Sequence, residues 1–152
     1  MAGSAELDEL IRRNAEAASA LIGGDVRGYL ALIEHADDYT LMPPYGGETV
    51  RGFEGSPEAI EGMERFFQGG EAEVEVVETY VSGGGDLAVL AVIERQHGRV
   101  AGFPDQDLSL RVTVVFRKEG GTWRLAHRHA DPLTHGIPMS TMNALARGDA
   151  AS

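Results

Sequence analysis

The sequence predicts an α+β fold in which three helices pack on a strongly curved, mainly antiparallel sheet. Two observations lead to this class. Amphipathic segments with helical spacing fill the first half of the chain, whereas long segments with alternating apolar residues fill most of the second half. Runs of helices followed by runs of strands favour an α+β architecture with an antiparallel sheet. Helices packed on a bent sheet would enclose a cone-shaped pocket between the two layers.

Three helices are predicted from their apolar spacing and their terminal residues. Residues 5–22 carry leucine, isoleucine and alanine at helical spacing, and Gly23-Gly24 ends this segment. Asp25 is a good N-cap for a second helix. Ser56-Pro57 predicts the start of a third, because serine caps well and proline is favoured at the first helical position. We expect Gly69-Gly70 to close that helix.

The strands are predicted from a period of two in the apolar residues. In residues 71–81 the apolar positions change parity after Val76, which predicts a β-bulge. A Gly-Gly turn joins Leu108–Arg117 to Thr122–Asp131, a good hairpin signal. The other predicted strands are short ones at residues 39–42 and 49–52 and a long one at residues 87–97.

Composition restricts the class of protein. A chain of 152 residues suggests a single domain, residues 1–152, with a C-terminal helical extension at 137–147. The net charge of -11 argues against nucleic acid or anionic membranes as partners, since both require a basic surface. Cysteine is absent, the first residues are acidic, and no apolar run approaches the roughly 20 residues of a membrane span. We therefore expect a cytoplasmic protein.

The hairpin carries the first candidate site, at His127 and His129. Strict alternation from Trp123 would place both histidines on one face together with Leu125. Such a pair could pack in the core or in a dimer surface, or it could transfer protons to a ligand. The spacing also suits a metal, but no third ligand is evident, so no metal or other cofactor is expected.

Charged residues near the strand ends are further candidates. Arg111 lies between apolar neighbours and needs a carboxylate, such as Glu94 or Asp131, or an anionic ligand. The run Glu94-Arg95-Gln96-His97 closes an otherwise apolar strand and marks either a solvated strand end or, at the pocket mouth, ligand contacts through Arg95 and His97. His35 with Asp37 and Asp38 indicates either a proton-transfer pair or, more simply, a helix end.

The motifs together resemble the nuclear transport factor 2-like superfamily. They are Gly24-Asp25, Asp37-Asp38, Tyr45-Gly46, Arg51-Gly52 and the final strand from Trp123. The chain is most similar to the SnoaL-like, ketosteroid-isomerase-related proteins, and it also resembles the association domain of calcium/calmodulin-dependent protein kinase II. This resemblance implies a cystatin-like cone, with Met42 and Tyr45 at the pocket rim. It also implies that Ala126, Arg128 and Ala130 line the pocket while the histidines face the outer side of the sheet.

Departures from the isomerase pattern disfavour the ketosteroid isomerase reaction. The resemblance places the three catalytic positions of those enzymes at Ala17, Pro43 and Val112, none of which can donate or accept a proton. Scytalone dehydratases use pocket histidines with an aspartate, and His127, His129 and Asp131 provide such groups.

The sequence therefore predicts a small-molecule-binding domain that binds a partly apolar ligand. If the protein is an enzyme, we expect cofactor-free acid–base catalysis of isomerisation, dehydration or cyclisation. The catalytic candidates are His127, His129, Arg111 and Asp131; the binding candidates are Met42, Tyr45, Glu94, Arg95 and Arg128. The alternative is a non-catalytic dimerisation or ligand-sensing module. In both cases we expect a homodimer through the outer face of the sheet.

Overall fold

The computed structural model describes residues 4–149, which form four helices and seven strands in the predicted α+β arrangement. The predicted single domain covers 1–152, so its first and last three residues lie outside the described range. The helices are α1 (Ser4–Ile22), α2 (Val26–Leu32), α3 (Pro57–Phe66) and α4 (Met139–Arg147). The strands are β1 (His35–Met42), β2 (Val50–Arg51), β3 (Phe67–Val81), β4 (Leu87–Val100), β5 (Gln106–Asp107), β6 (Leu110–Glu119) and β7 (Thr122–Asp131).

The strands form one curled but unclosed sheet. Its order is β2-β1-β7-β6-β4-β3, with β5 paired to β4 outside this path. Every pairing is antiparallel except that of β1 with β7, which is parallel. The prediction of a mainly antiparallel sheet is therefore confirmed, and the parallel pair makes it mixed.

The predicted helix starts are confirmed by their capping contacts. The side chain of Asp25 accepts a hydrogen bond of 2.9 Å from the backbone N–H of Gly28. Ser56 accepts one of 3.2 Å from the N–H of Ala59, with Pro57 as the first helical residue. These side chains satisfy N–H groups that have no partner within the helix.

Two boundaries differ from the sequence prediction. Residues 35–38 belong to β1 and not to the end of α2. Gly69 and Gly70 lie inside β3, which begins directly after α3. A Cβ on Gly70 would lie 2.3 Å from the carbonyl oxygen of His97 and 3.0 Å from Cγ1 of Ile22. Glycine is therefore required there by a close approach between β3, β4 and α1, and not by a helix end.

Bulges decide which face each side chain occupies. The predicted bulge in β3 is confirmed, because the register with β4 shifts between Val76 and Glu78. A second bulge in β7 was not predicted: Val115 pairs with His127, but Phe116 pairs with Leu125, which leaves Ala126 as the extra residue. The strict alternation assumed for β7 is therefore wrong, since a bulge reverses the faces of all later residues.

The inner face of the sheet and the apolar side of α1 form the core. Its buried members include Leu10, Ala17, Leu90, Val114, Phe116 and Leu125. None of the helices in residues 4–149 has the length and apolar character needed to cross a membrane.

Candidate functional site

A cavity of about 560 Å³ lies between the helices and the inner face of the sheet. Its apolar lining comes from α1, α3, β1, β4, β6 and β7 and from the loop that follows β1. The lining also contains a few polar side chains: Asn14, Tyr29, Tyr39, Tyr45, Glu54, Glu94, Gln96 and Arg128. An apolar concave site with a small number of placed polar groups is the usual form of a small-molecule site.

A buried ion pair stands in the cavity wall where β4 and β7 face inward. The terminal nitrogens of Arg128 donate hydrogen bonds of 2.7 and 2.9 Å to the two carboxylate oxygens of Glu94. The Glu94 side chain is 3% exposed and that of Arg128 is 23% exposed. Burial alone would lower the pKa of Arg128, but the charge and hydrogen bonds of Glu94, together with Tyr29 and Tyr39, raise it overall. The pair thus places two opposite charges beside the cavity.

A tyrosine–histidine contact adjoins this pair. The hydroxyl of Tyr29 lies 2.9 Å from Nε2 of His35, whose ring stacks on Phe53 with ring centroids 3.9 Å apart. Burial lowers the pKa of His35 to about 4, so the imidazole is neutral near pH 7. Burial also raises the pKa of Tyr29, which keeps its hydroxyl protonated and able to donate. Tyr29 lines the cavity together with Glu94 and Arg128, whose charges also act on its hydroxyl.

Asn14 is a polar residue within the apolar side of α1. It is only 7% exposed, and it lines the cavity. Among the described residues, its side-chain Nδ2 is the one buried polar side-chain atom without a hydrogen-bond partner. Buried donors are normally paired, so this unpaired Nδ2 is an exception within the apolar side of α1.

The four predicted catalytic residues lie on the outer face of the sheet, away from the cavity lining. Nδ1 of His127 is 2.8 Å from the Thr40 hydroxyl, and His129 is exposed beside Thr113 in the register. Arg111 meets Asp131 across the hairpin at 3.2 Å, one of the two partners that the sequence suggested for it. The bulge at Ala126 produces this arrangement, because it turns Leu125 and Arg128 inward and both histidines outward.

The predicted binding residues divide between the two faces. Glu94 and Arg128 line the cavity, and Tyr45 lies at its rim with 82% exposure. Met42 is on the outer face, in register with His129, and Arg95 pairs there with Glu75 at 3.2 Å. Glu94 does not mark a solvated strand end, because β4 continues to Val100.

Sequence reasoning did not select Asn14, Tyr29 or His35 as a group. One signal was present for Asn14, which stands four residues after Leu10 and three before Ala17, in the middle of the apolar stripe of α1. His35 was considered with Asp37 and Asp38, but its contact is with Tyr29, while Asp38 pairs with Arg117. No sequence pattern connects His35 with Tyr29, since the contact depends on how β1 follows α2.

The three positions to which the resemblance assigned isomerase catalysis carry no ionisable group. Ala17 and Pro43 line the cavity, and Val112 is buried in the core. The acid–base groups of this cavity therefore stand elsewhere, on α2, β1, β4 and β7.

Comparisons with known proteins agree with this architecture. Residues 11–133 match the family model described as the SnoaL-like domain. No curated protein sequence matches the chain.

Several solved structures share the fold at low sequence identity. A candidate scytalone dehydratase from Novosphingobium aromaticivorans superposes with a TM-score of 0.67 at 16% identity, covering 88% of this chain and 96% of the other. A candidate dehydratase of the NTF2-like family from Streptomyces avermitilis has a TM-score of 0.63 at 19% identity, with coverage of 86% and 98%. The association domain of CaMKII from C. elegans has a TM-score of 0.60 at 15% identity, with coverage of 84% and 95%.

Proposed function

Because the chain belongs to the SnoaL-like domain family, we propose that its cavity binds a small, partly apolar molecule and transforms it by cofactor-free acid–base chemistry. The observation that carries this proposal is the Glu94–Arg128 ion pair in the wall of an otherwise largely apolar cavity, with Tyr29 beside it. A pair of charges removed from water has a strong local field, which favours reactions that move protons.

The roles follow from the contacts of each group. We assign Tyr29 as the donor to the reacting oxygen of the substrate: its raised pKa keeps the hydroxyl protonated, and a neutral His35 that carries its proton on Nε2 donates to the tyrosine oxygen, which leaves the hydroxyl proton for the substrate. Glu94 is the carboxylate that would accept a proton from carbon, with Arg128 holding it in position. The same proton later returns to another carbon in an isomerisation, or leaves with the expelled hydroxyl as water in a dehydration. The likeness in fold to two candidate dehydratases supports this class of reaction.

Binding is tested with the neutral fluorescent probe N-phenyl-1-naphthylamine. We expect saturable fluorescence enhancement with the native protein and its loss with Ala59→Trp, because the larger side chain at this lining position would fill the cavity. The fold should tolerate this change, since α3 has no buried residue. Glu58→Trp is the matched control, since it adds the same side chain at the exposed neighbouring position. Equal binding by both variants would place the probe outside the cavity and contradict the proposal.

The chemistry is tested by the exchange of the α-protons of 2-tetralone for deuterium in D₂O, followed by proton NMR. We expect the native protein to accelerate exchange above buffer, and Tyr29→Phe and Glu94→Gln each to reduce the acceleration by about a hundredfold. Binding of the probe without any acceleration would leave the alternative, a ligand-sensing module without catalysis.

We also propose that the outer face of the sheet joins two copies of the chain. Tyr80, Val89 and Val115 stand side by side there in the register, and His127 continues the row. The ion pairs Arg111–Asp131 and Arg95–Glu75 lie on the same face towards one end of this row, as polar groups do at the rim of an interface. The likeness in fold to a kinase association domain supports an assembly role.

Sedimentation velocity tests this interface. Val115→Arg should convert a dimer to a monomer, whereas Ala31→Arg, with the same change of charge on exposed helix surface, should not. A native protein that sediments as a monomer at high concentration would contradict the proposal.

A further inference from the structure

The wall that β4 contributes to the cavity carries a side-chain amide, that of Gln96. Alternate residues of this strand face inward, so that Val92 and Glu94 are buried and Gln96 is the next residue on the same face. Gln96 lines the cavity, whereas Arg95 between them is exposed on the outer face. The two polar side chains, Glu94 and Gln96, therefore enter the cavity about 7 Å apart along the strand.

The amide of Gln96 has a fixed orientation. Its Nε2 donates a hydrogen bond of 3.0 Å to the backbone carbonyl oxygen of Leu108, which also lines the cavity. The reverse orientation would place the amide oxygen against that carbonyl oxygen, and neither atom could donate. The backbone of Gln96 is held as well, because its N–H donates to Oγ of Ser109 at 3.2 Å and its carbonyl oxygen accepts from the N–H of Leu108 at 2.9 Å. The group that this side chain leaves open is therefore its oxygen, Oε1.

Oε1 of Gln96 is an unused acceptor. It has no hydrogen-bond partner within residues 4–149, and it is not among the fully enclosed unpaired atoms of that range, so it retains accessible surface. An amide oxygen accepts hydrogen bonds from hydroxyl or N–H groups. A charged ammonium group would lose its hydration in a largely apolar cavity that already contains Arg128. A neutral hydroxyl group avoids this cost.

We infer that Gln96 determines the specificity of the cavity, and that its Oε1 accepts a hydrogen bond from a hydroxyl group of the ligand. The inference rests on the proposed function, and it adds a second polar contact that is separate from the proton transfer assigned to Glu94. Because the two side chains stand side by side on β4, a ring-sized ligand can present its reacting carbon to Glu94 and its hydroxyl group to Gln96.

Three probes with the same ring skeleton test this inference. They are tetrahydro-2-naphthol, which has a hydroxyl group; its methyl ether, which keeps the oxygen but has no proton to donate; and tetralin, which has neither. Their affinities are measured by displacement of N-phenyl-1-naphthylamine. The native protein should bind the naphthol about tenfold more tightly than the methyl ether, the equivalent of one hydrogen bond. Gln96→Met should remove this preference and leave the affinity for tetralin nearly unchanged.

Ser109→Ala is the matched control. It removes the hydroxyl group that accepts from the backbone N–H of Gln96, and it leaves Oε1 in place. We therefore expect this variant to keep the preference for the naphthol. Loss of the preference in Ser109→Ala as well would show that local packing, and not Oε1, produces it.

The remaining outcomes separate this inference from the proposed function. If the dye does not bind, the proposed function fails and the inference fails with it. If the dye and tetralin bind but the native protein does not distinguish the naphthol from its methyl ether, the inference alone is overturned. A preference that persists in Gln96→Met would assign the hydroxyl group to another residue. Gln96→Asn, which keeps an amide but withdraws the oxygen by one methylene, should also lose the preference, and it provides the test if circular dichroism shows that the methionine variant does not fold.

Discussion

Replacing Glu94 by leucine should destabilise the protein strongly, because the guanidinium of Arg128 would then remain in the cavity wall without a counter-charge. The two groups are joined by hydrogen bonds of 2.7 and 2.9 Å, and the Glu94 side chain is 3% exposed. Breaking a buried pair from one side costs about 3–5 kcal/mol. Because Arg128 retains 23% exposure and can recover some hydration, we expect the lower end, about 3 kcal/mol.

The double variant Glu94→Leu/Arg128→Met distinguishes this explanation from a general loss of packing. With both charges removed, no group is left unpaired, and stability should return to within about 1 kcal/mol of the native protein. Urea unfolding at pH 7, followed by circular dichroism and the fluorescence of Trp123, measures each free energy of unfolding. The matched control is Glu75→Leu, which breaks the pair with Arg95 at 3.2 Å, where both side chains are about half exposed. We expect it to cost no more than about 0.5 kcal/mol.

Two results would refute this reasoning. The first is a cost below about 1 kcal/mol for Glu94→Leu, comparable with that of an exposed pair. The second is a double variant whose cost equals the sum of the two single variants, because additivity means that the two side chains do not interact.

Two further predictions concern His35 and Gly70. Since burial lowers the pKa of His35 from 6.5 to about 4, the folded state resists protonation; the stability that depends on neutral His35 is complete above pH 6.5 and is lost as the pH falls towards 4. We expect a loss of about 1–2 kcal/mol across this window, a value reduced for the partial solvent exposure of the ring. In urea unfolding measured at several pH values, His35→Gln should flatten the dependence of the free energy of unfolding on pH. The control His97→Gln, at an exposed site, should not flatten it. An unchanged slope in His35→Gln would assign the pH dependence to other groups. Gly70→Ala should lower the free energy of unfolding by about 1–3 kcal/mol, because its Cβ would lie 2.3 Å from the carbonyl oxygen of His97. The control Gly83→Ala has no atom within 4 Å of its Cβ and should be nearly neutral in thermal melts. Equal stability of the two variants would show that β3 can move away from β4.

Most of the fold could be predicted because the relevant signals are local. The caps at Asp25 and Ser56 act within one helical turn, and the apolar periods of α1, β4 and β6 need only neighbouring residues. Even the bulge of β3 was visible, since apolar residues on both sides of it must face the same core. The sequence prediction took Gly69 and Gly70 as the end of a helix, whereas they lie within β3. Glycine is favoured both at a helix end and where two backbones approach closely, so the residue type alone does not distinguish the two.

The candidate site was much less predictable. The bulge at Ala126 has no sequence signature, because alanine is tolerated on either face and the residues around it alternate in charge and size. That single unpaired residue decides that Arg128 faces the cavity while His127 and His129 face outward. Asn14 and Tyr29 line the cavity, and His35 contacts Tyr29; the three come from different elements, so only the packing of those elements brings them together.

The sequence by itself determined the α+β class, the order of the elements and the absence of thiol chemistry, since each depends on composition or on contacts between near neighbours. Only the tertiary structure decided which polar groups share the cavity. Hydrogen bonds between Arg128 and Glu94, 34 residues apart, and the isolation of Asn14 both depend on strand register and helix docking. Both are long-range properties. A shift of one residue in β7 is enough to move its later side chains to the opposite face of the sheet.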